Sequence, residues 1–284
     1  MGIVHKPNLN MYWSTDDLYW TPIFSKTMSR DRFKVILKFL HFNNNNDPNL
    51  ILNDPNRDRL HKVRPFVNMI RERCRKVYSP GQHLSVDESL VLFKDRLHFC
   101  QYIKTKRARF GIKVYELTTA DGITLDFLAY CGTGMYDDDK NSTMPLSQRI
   151  PIELMGPFLN KGHIVFTDNY YTSPSLASYL LSKKTYICGT ICANRKHYSK
   201  EILNDQLAKG TAVFYKTRNE DNKMLACKYR ATKDKSGNKQ KVVYMLSTYH
   251  NPVMVETGKS DKMVTYSNHQ WSSHTMCIWV VLTG

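Results

Sequence analysis

The stretch Phe166-Thr167-Asp168-Asn169-Tyr170-Tyr171-Thr172-Ser173 decides how the rest of the chain is read. Before it lies Gly162-His163-Ile164-Val165-Phe166, a short apolar run that predicts a buried strand. After it lies Ser175-Leu176-Ala177-Ser178-Tyr179-Leu180-Leu181, apolar at helical spacing, with Thr172 or Ser173 placed to cap a helix. Asp168 therefore falls where a buried strand ends and the chain turns into a helix, at the rim of a sheet. Asp and Asn are common at strand ends, so Asp168 is either a turn residue or an acid facing a ligand.

A second acid is placed in the same way. Leu84-Ser85-Val86-Asp87-Glu88-Ser89-Leu90-Val91-Leu92-Phe93 follows Pro80-Gly81 and alternates as a strand does. Asp87 lies inside it among apolar neighbours, where an unpaired carboxylate is costly. Two such acids on separate strands make a hard-oxygen site suited to Mg²⁺ or Mn²⁺. The other reading of Asp87 is an ion pair with one of the many Arg and Lys residues.

The wider composition narrows the class. The chain has 284 residues, enough for one large domain or two modest ones, and 42% hydrophobic residues for a core. Lys+Arg number 41 against 25 Asp+Glu, a net charge of +16, which points to a polyanionic partner, nucleic acid first. Seven cysteines form no CxxC pair, their count is odd, and no secretory signal precedes them, so reduced intracellular thiols are expected. No apolar run reaches the length of a membrane span, and Lys6 breaks the myristoylation pattern that Gly2 would begin.

Taken in order, residues 1–79 predict a helical N-terminal subdomain. Ser29 caps a helix with Phe33, Ile36, Leu37 and Leu40 on its apolar face, and a second helix follows with Val63, Phe66, Val67, Ile70 and Val77. Strands are predicted at 84–94, 97–104, 111–120 and 123–131, with Gly122 turning the last pair. Asp137-Asp138-Asp139 sits in a Gly-flanked loop and is read as solvated surface. A partly helical crossover over 145–160, the Asp168 strand and helix, and a strand at Tyr186-Ile187-Cys188-Gly189-Thr190-Ile191 complete a mixed α/β sheet. Residues 205–252 carry short alternating strands between polar loops and read as a β-rich insertion. Lys104, Lys106, Arg107, Arg109 and Lys113, with Arg195 and Lys196, either line a DNA groove or form a solvated face. Tyr170 and Tyr171 are read as core aromatics, with stacking on a base as the alternative. Asn169 alone of this group is taken as adjacent to the site.

Several of these stretches together resemble the piggyBac-type transposases. They are Ser85-Val86-Asp87-Glu88-Ser89-Leu90, Tyr102-Ile103-Lys104-Thr105-Lys106, Gly111-Ile112-Lys113, the block from Phe166 to Ser173, Gly189-Thr190 with Asn194-Arg195-Lys196, and Met245-Leu246-Ser247-Thr248 with His250-Asn251. Tyr12-Trp13-Ser14-Thr15 and Met28-Ser29-Arg30-Asp31-Arg32-Phe33 match as well, so the resemblance runs from about residue 2 to about residue 268. It implies an RNase H-like mixed sheet with flanking helices, interrupted by a β-rich insertion, with the core at 80–204. It also implies cut-and-paste transposition of DNA at TTAA targets by three aspartates and two divalent metals about 3.5–4 Å apart. Asp87 and Asp168 match the first two aspartates, Mg²⁺ or Mn²⁺ is the implied cofactor, and transposon-end DNA and a second copy of the chain are the implied partners in the nucleus.

The resemblance breaks in residues 253–284. Where the family carries Gly-Gly-Val-Asp with its third aspartate, this chain reads His269-Gln270-Trp271-Ser272-Ser273-His274-Thr275-Met276-Cys277, and no acid follows Asp261. The missing acid would fall near Thr275. The family's cysteine-rich zinc domain has no counterpart in these residues, so no structural zinc is expected here. The expectation is a truncated or decayed relative with impaired catalysis, the alternative being a DNA-binding, chromatin-associated protein on the same scaffold.

Overall fold

A computed structural model describes residues 2–44, 46, 58–104, 106, 109–132, 144–217, 223–230 and 242–252. Asp137-Asp138-Asp139, Arg107, Thr275 and the apolar end at 278–282 lie outside the described residues. Contacts divide the chain into two compact units, Met1–Asn68 and Met69–Gly284.

The smaller unit is organised by aromatic residues. Tyr12 is buried, donates from its hydroxyl to Val4 O at 2.8 Å and meets Phe24 edge to face at 4.8 Å. Trp13 donates from Nε1 to Met28 O at 2.8 Å and packs against Phe33 at 5.2 Å. Helices α1 (Pro22–Thr27) and α2 (Arg30–Phe39) follow, and Ser29 caps α2 by accepting from Arg32 N. The apolar face expected on α2 is not buried: Ile36, Leu37 and Leu40 are exposed along with Val35 and Phe39.

Among the described residues of the larger unit nine strands form one sheet. They are β1 (His83–Leu92), β2 (Gln101–Tyr102), β3 (Phe110–Thr119), β4 (Thr124–Ala129), β5 (Ile164–Thr167), β6 (Tyr186–Thr190), β7 (Ala212–Lys216), β8 (Leu225–Arg230) and β9 (Val242–Ser247). β4, β3 and β1 run as an antiparallel meander; β5 then pairs parallel with β1, and β6 parallel with β5. This is the arrangement expected of an RNase H-like core. The strand expected over 97–104 is cut to β2, because the chain turns at Leu97-His98-Phe99-Cys100, with Cys100 N bonded to Leu97 O, to bury Phe99. β9 pairs with the free edge of β6, and β8 and β7 continue outward, so the β-rich strands of 205–252 extend the core sheet.

The faces are set by strand alternation. Leu84 and Val86 of β1, Tyr115 and Leu117 of β3 and Val165 of β5 point to one face and pack with Ile150, Leu154 and Met155 of α4 (Leu146–Met155). Ile164 and Phe166 point to the other, against Cys188. All four β5 residues are buried, which accounts for the continuous apolar run. Helix α5 (Pro174–Ser182) packs Leu176, Ala177 and Leu180 against Ile187 of β6.

Helices α3 (Arg64–Val77) and α6 (Glu201–Asn204) complete the elements. α3 reaches the core through charge. Arg71 Nε and Arg75 Nε donate to the fully buried carboxylate of Asp126 in β4, at 2.9 and 3.0 Å. Cys74, Cys100 and Cys192 carry free thiols. Among the described residues no helix is long and apolar enough to cross a membrane.

Candidate active site

The parallel pairing of β1 with β5 sets the two acids. His83 pairs with Ile164, Ser85 with Phe166 and Val86 with Thr167, so the register ends where Asp87 follows within β1 and Asp168 is the first residue past β5. Alternation along β1 carries Asp87 to the face away from α4. Both acids are half-buried. Among the described residues neither forms an ion pair, so the alternative for Asp87, neutralisation by Arg or Lys, does not occur there.

Local hydrogen bonds fix the Asp168 turn. Its Oδ1 accepts from Tyr170 N at 3.0 Å and Tyr171 N at 3.4 Å, its carbonyl accepts from Thr172 N and from Thr172 Oγ1, and Ser173 caps α5. Behind the turn, Thr167 Oγ1 and Thr172 Oγ1 share a buried bond of 2.7 Å. Gly189 of β6, opposite Thr167, makes room for this pair. A Cβ there would clash with the Thr167 carbonyl and the Thr172 hydroxyl and lie 2.8 Å from Thr167 Oγ1. Gly189→Ala is therefore expected to cost about 1–3 kcal/mol by overpacking and to move the Asp168 turn. Thermal melting measures the first and Mn²⁺ titration the second; an alanine variant that melts and binds like the parent would show that β6 yields freely.

The charge around Asp168 is unbalanced. Burial raises its pKa above the usual carboxylate range, and the nearby Glu88 and Asp87 carboxylates push the same way, outweighing the two backbone hydrogen bonds. Glu88 is held from two sides: Tyr171 Oη donates to it at 3.4 Å, and Lys106 Nζ lies 3.6 Å from its carboxylate and donates to its carbonyl at 2.8 Å. Glu116 stands opposite Asp87 on β3 and accepts from Ser89 Oγ at 2.9 Å. Glu88 follows Asp87 directly in sequence, and its part in the site shows only in these contacts. Glu116 had no sequence signal, since only the antiparallel register of β1 and β3 brings it to Asp87.

The expected basic residues separate into two groups. Lys106 touches Glu88. Lys113 Nζ lies 4.9 Å from the Tyr115 ring and 5.5 Å from the Tyr170 ring. Arg195 Nη2 donates to the carbonyls of Asn169 and Tyr170, the latter at 3.0 Å, and so grips the turn that carries Asp168. Lys104, Arg109 and Lys196 are exposed, and no hydrogen bond or ion pair among the described residues draws their side chains to the acids. Tyr171 is fully buried, while Tyr170 is exposed.

Comparison with known proteins places this geometry. The family model described as Transposase IS4 matches residues 1–275. Over 214 residues the chain is 29% identical to PiggyBac transposable element-derived protein 3 of Homo sapiens, an overlap of 73% of this chain and 34% of that protein. It is 27% identical over 195 residues to PiggyBac transposable element-derived protein 2 of Homo sapiens, covering 67% of this chain and 31% of that one. The chain thus spans about a third of the length of these curated relatives. A cryo-EM structure of the piggyBac transposase synaptic complex with hairpin DNA superposes with a TM-score of 0.69 at 27% identity, over 88% of this chain and 50% of that one. With a sheet of RNase H-like order and a family match across nearly its whole length, the chain belongs to the piggyBac-type Transposase IS4 family.

Proposed function

We propose that this chain carries the DNA-processing core of a transposable element-derived protein, with Asp87 and Asp168 as the two acids that hold a divalent cation. The observation that carries the reading is the β1–β5 register, which brings to one end of the paired strands two acids that form no ion pair among the described residues. DDE chemistry in this family uses a divalent metal. The donor set fits a hard cation, Mg²⁺ or Mn²⁺: the available ligands are carboxylate oxygens, and the charge held against Asp168 is what a bound cation relieves. When bound, the cation supplies charge neutralisation and Lewis acidity for attack of water or a 3′-OH on a phosphodiester.

The chain's own residues orient and bind. Arg195 and the Thr167–Thr172 pair hold the Asp168 turn, Lys106 balances Glu88, and Lys104, Arg107, Arg109, Lys113, Asn169, Arg195 and Lys196 are the proposed contacts to DNA. The net charge of +16 supports phosphate binding. Transposon ends with TTAA targets, a homodimer and a nuclear location are proposed for the whole protein. So is the division into a helical part at 1–79, a core at 80–204, a β-rich insertion at 205–252 and a diverged segment at 253–284.

Titration with Mn²⁺, followed by electron paramagnetic resonance and by melting temperature, tests the site apart from catalysis. Wild type is expected to bind and to melt higher with metal, whereas Asp87→Asn and Asp168→Asn are expected to lose both responses. The raised pKa of Asp168 sets the pH dependence. Between its ordinary value of 3.8 and its raised value the folded state binds more protons than the unfolded state. Metal-free stability therefore falls as pH rises through that window, and metal affinity grows across it. Asp168→Asn removes the repelled charge and is expected to melt above wild type in EDTA at neutral pH. Unaltered Mn²⁺ binding by both variants would remove the site from this end of the β1–β5 pair.

A further inference from the structure

Tyr170 is two residues beyond Asp168, and 41% of it is exposed although its main chain is tightly held. Its N–H donates to Asp168 Oδ1 at 3.0 Å, and its carbonyl accepts from Arg195 Nη2 at 3.0 Å. Its ring meets the buried Tyr171 ring edge to face, 4.9 Å between centroids and 84° between planes. The Lys113 ammonium lies 5.5 Å from its centroid. An aromatic ring of this size usually buries itself or leaves the surface to polar residues. Here it is anchored at the backbone, packed on its neighbour and still open to solvent, so a flat partner meets it with little further loss of freedom.

We propose that Tyr170 is a stacking platform for an unpaired nucleobase of the DNA strand presented to Asp87 and Asp168, with Lys113 beside it contacting the strand's phosphate. The inference rests on the reading of that end of the β1–β5 pair as the DNA-processing site. Three features select the partner. The ring belongs to the turn whose main chain is bonded to Asp168, so a base stacked on it brings its own phosphodiester toward that acid. The flanking cations, Lys113 and Arg195, suit a polyanion rather than another apolar surface. Every base offers a π-face, so the platform tolerates sequence and demands only that the base be out of its pair. A paired base inside a duplex hides its faces in the stack, so the platform favours frayed or distorted DNA over intact duplex.

The test compares two DNA probes of one length, a perfect duplex and a duplex with a short unpaired segment carrying 2-aminopurine. With wild type, the unpaired probe is expected to bind more tightly, and its fluorescence is expected to fall on binding. Tyr170→Ala is expected to bind the unpaired probe roughly 5- to 150-fold more weakly, the range for losing one base–aromatic stack. It is expected to keep wild-type affinity and salt dependence on the perfect duplex. Tyr170→Phe and Tyr170→Trp are expected to retain both preference and quenching, because the ring and not the hydroxyl does the stacking. A Tyr170→Ala variant that keeps preference and quenching overturns the inference while leaving the DNA-processing reading intact. Failure of wild type to bind either probe overturns that reading and the inference with it. Equal loss on both probes, with an unchanged melting curve, would make Tyr170 a general DNA contact and overturn the stacking role. A prey protein captured through Tyr170 without DNA would do the same.

Discussion

Asp126→Ala is expected to destabilise the larger unit by about 3–5 kcal/mol, the cost of removing one partner from a buried ion pair. Asp126 is fully buried in β4, and its carboxylate accepts from Arg71 Nε at 2.9 Å, Arg71 Nη2 at 3.2 Å, Arg75 Nε at 3.0 Å and Phe127 N at 2.8 Å. Only 14% of the Arg71 side chain and 29% of the Arg75 side chain are exposed. Burial pulls the pKa of Arg71 down, but the hydrogen bond and charge of Asp126 outweigh it and leave it raised, so the guanidinium is held in its charged form. Alanine leaves two guanidinium groups facing an apolar gap, with Glu153 at 3.4 Å from Arg71 as the remaining acid among the described residues. For a unit of this size the loss converts to a melting shift of roughly 6–20 °C. Asp126→Asn keeps the shape and an acceptor for Phe127 N and is expected to fall between wild type and alanine. A shift of less than about 2 °C for alanine would show that α3 docks by its apolar residues and not through this carboxylate.

The 284-residue chain is expected not to excise a TTAA-flanked donor. In-line displacement with two metals needs more acid than Asp87 and Asp168 supply. Among the described residues no group of three His, Cys, Asp or Glu side chains is arranged to hold an ion. The two nearby acids are committed elsewhere, Glu88 to Lys106 and Tyr171 and Glu116 to Ser89. Residues 269–284 offer no acid in sequence, and a threonine hydroxyl at 275 is a neutral and weaker ligand. Weak nicking of end DNA, stronger with Mn²⁺ than with Mg²⁺, is the most that two carboxylates are expected to support. Thr275→Asp alone is expected not to restore excision, because the residues that would aim the new acid are replaced as well. A donor-excision assay with the chain and with this variant decides the matter, and efficient excision by the parent chain would overturn the prediction.

Much of the site was legible because its signals are local. The apolar run before Asp168 predicts a buried strand because a strand covered on both faces has no polar side to show, and β5 is buried at all four residues. Ser173 caps α5 because a hydroxyl there meets the orphan N–H groups of the first turn. Gly122, at φ +80°, turns β3 into β4 as the Asp-Gly pair predicts. The strand over 97–104 was lost because alternation cannot show that a turn buries Phe99 better than a straight strand would.

The sequence by itself determined most of the element types, one acid within its strand and one just past the end of another, and the basic excess, since these follow from periodicity, capping chemistry and charge within a few residues. Tertiary structure alone decided which strands are neighbours and therefore what meets Asp87. The parallel β1–β5 register brings Asp168 beside it, and the antiparallel β1–β3 register brings Glu116 opposite it, across separations in sequence that no local pattern spans. The same holds for the pair of adjacent tyrosines. Tyr170 and Tyr171 are alike in sequence, yet one is fully buried in the core and the other is 41% exposed. The turn closed by Asp168 and Arg195 sends one ring into the core and leaves the ring packed on it at the surface, and only the surrounding packing says which is which.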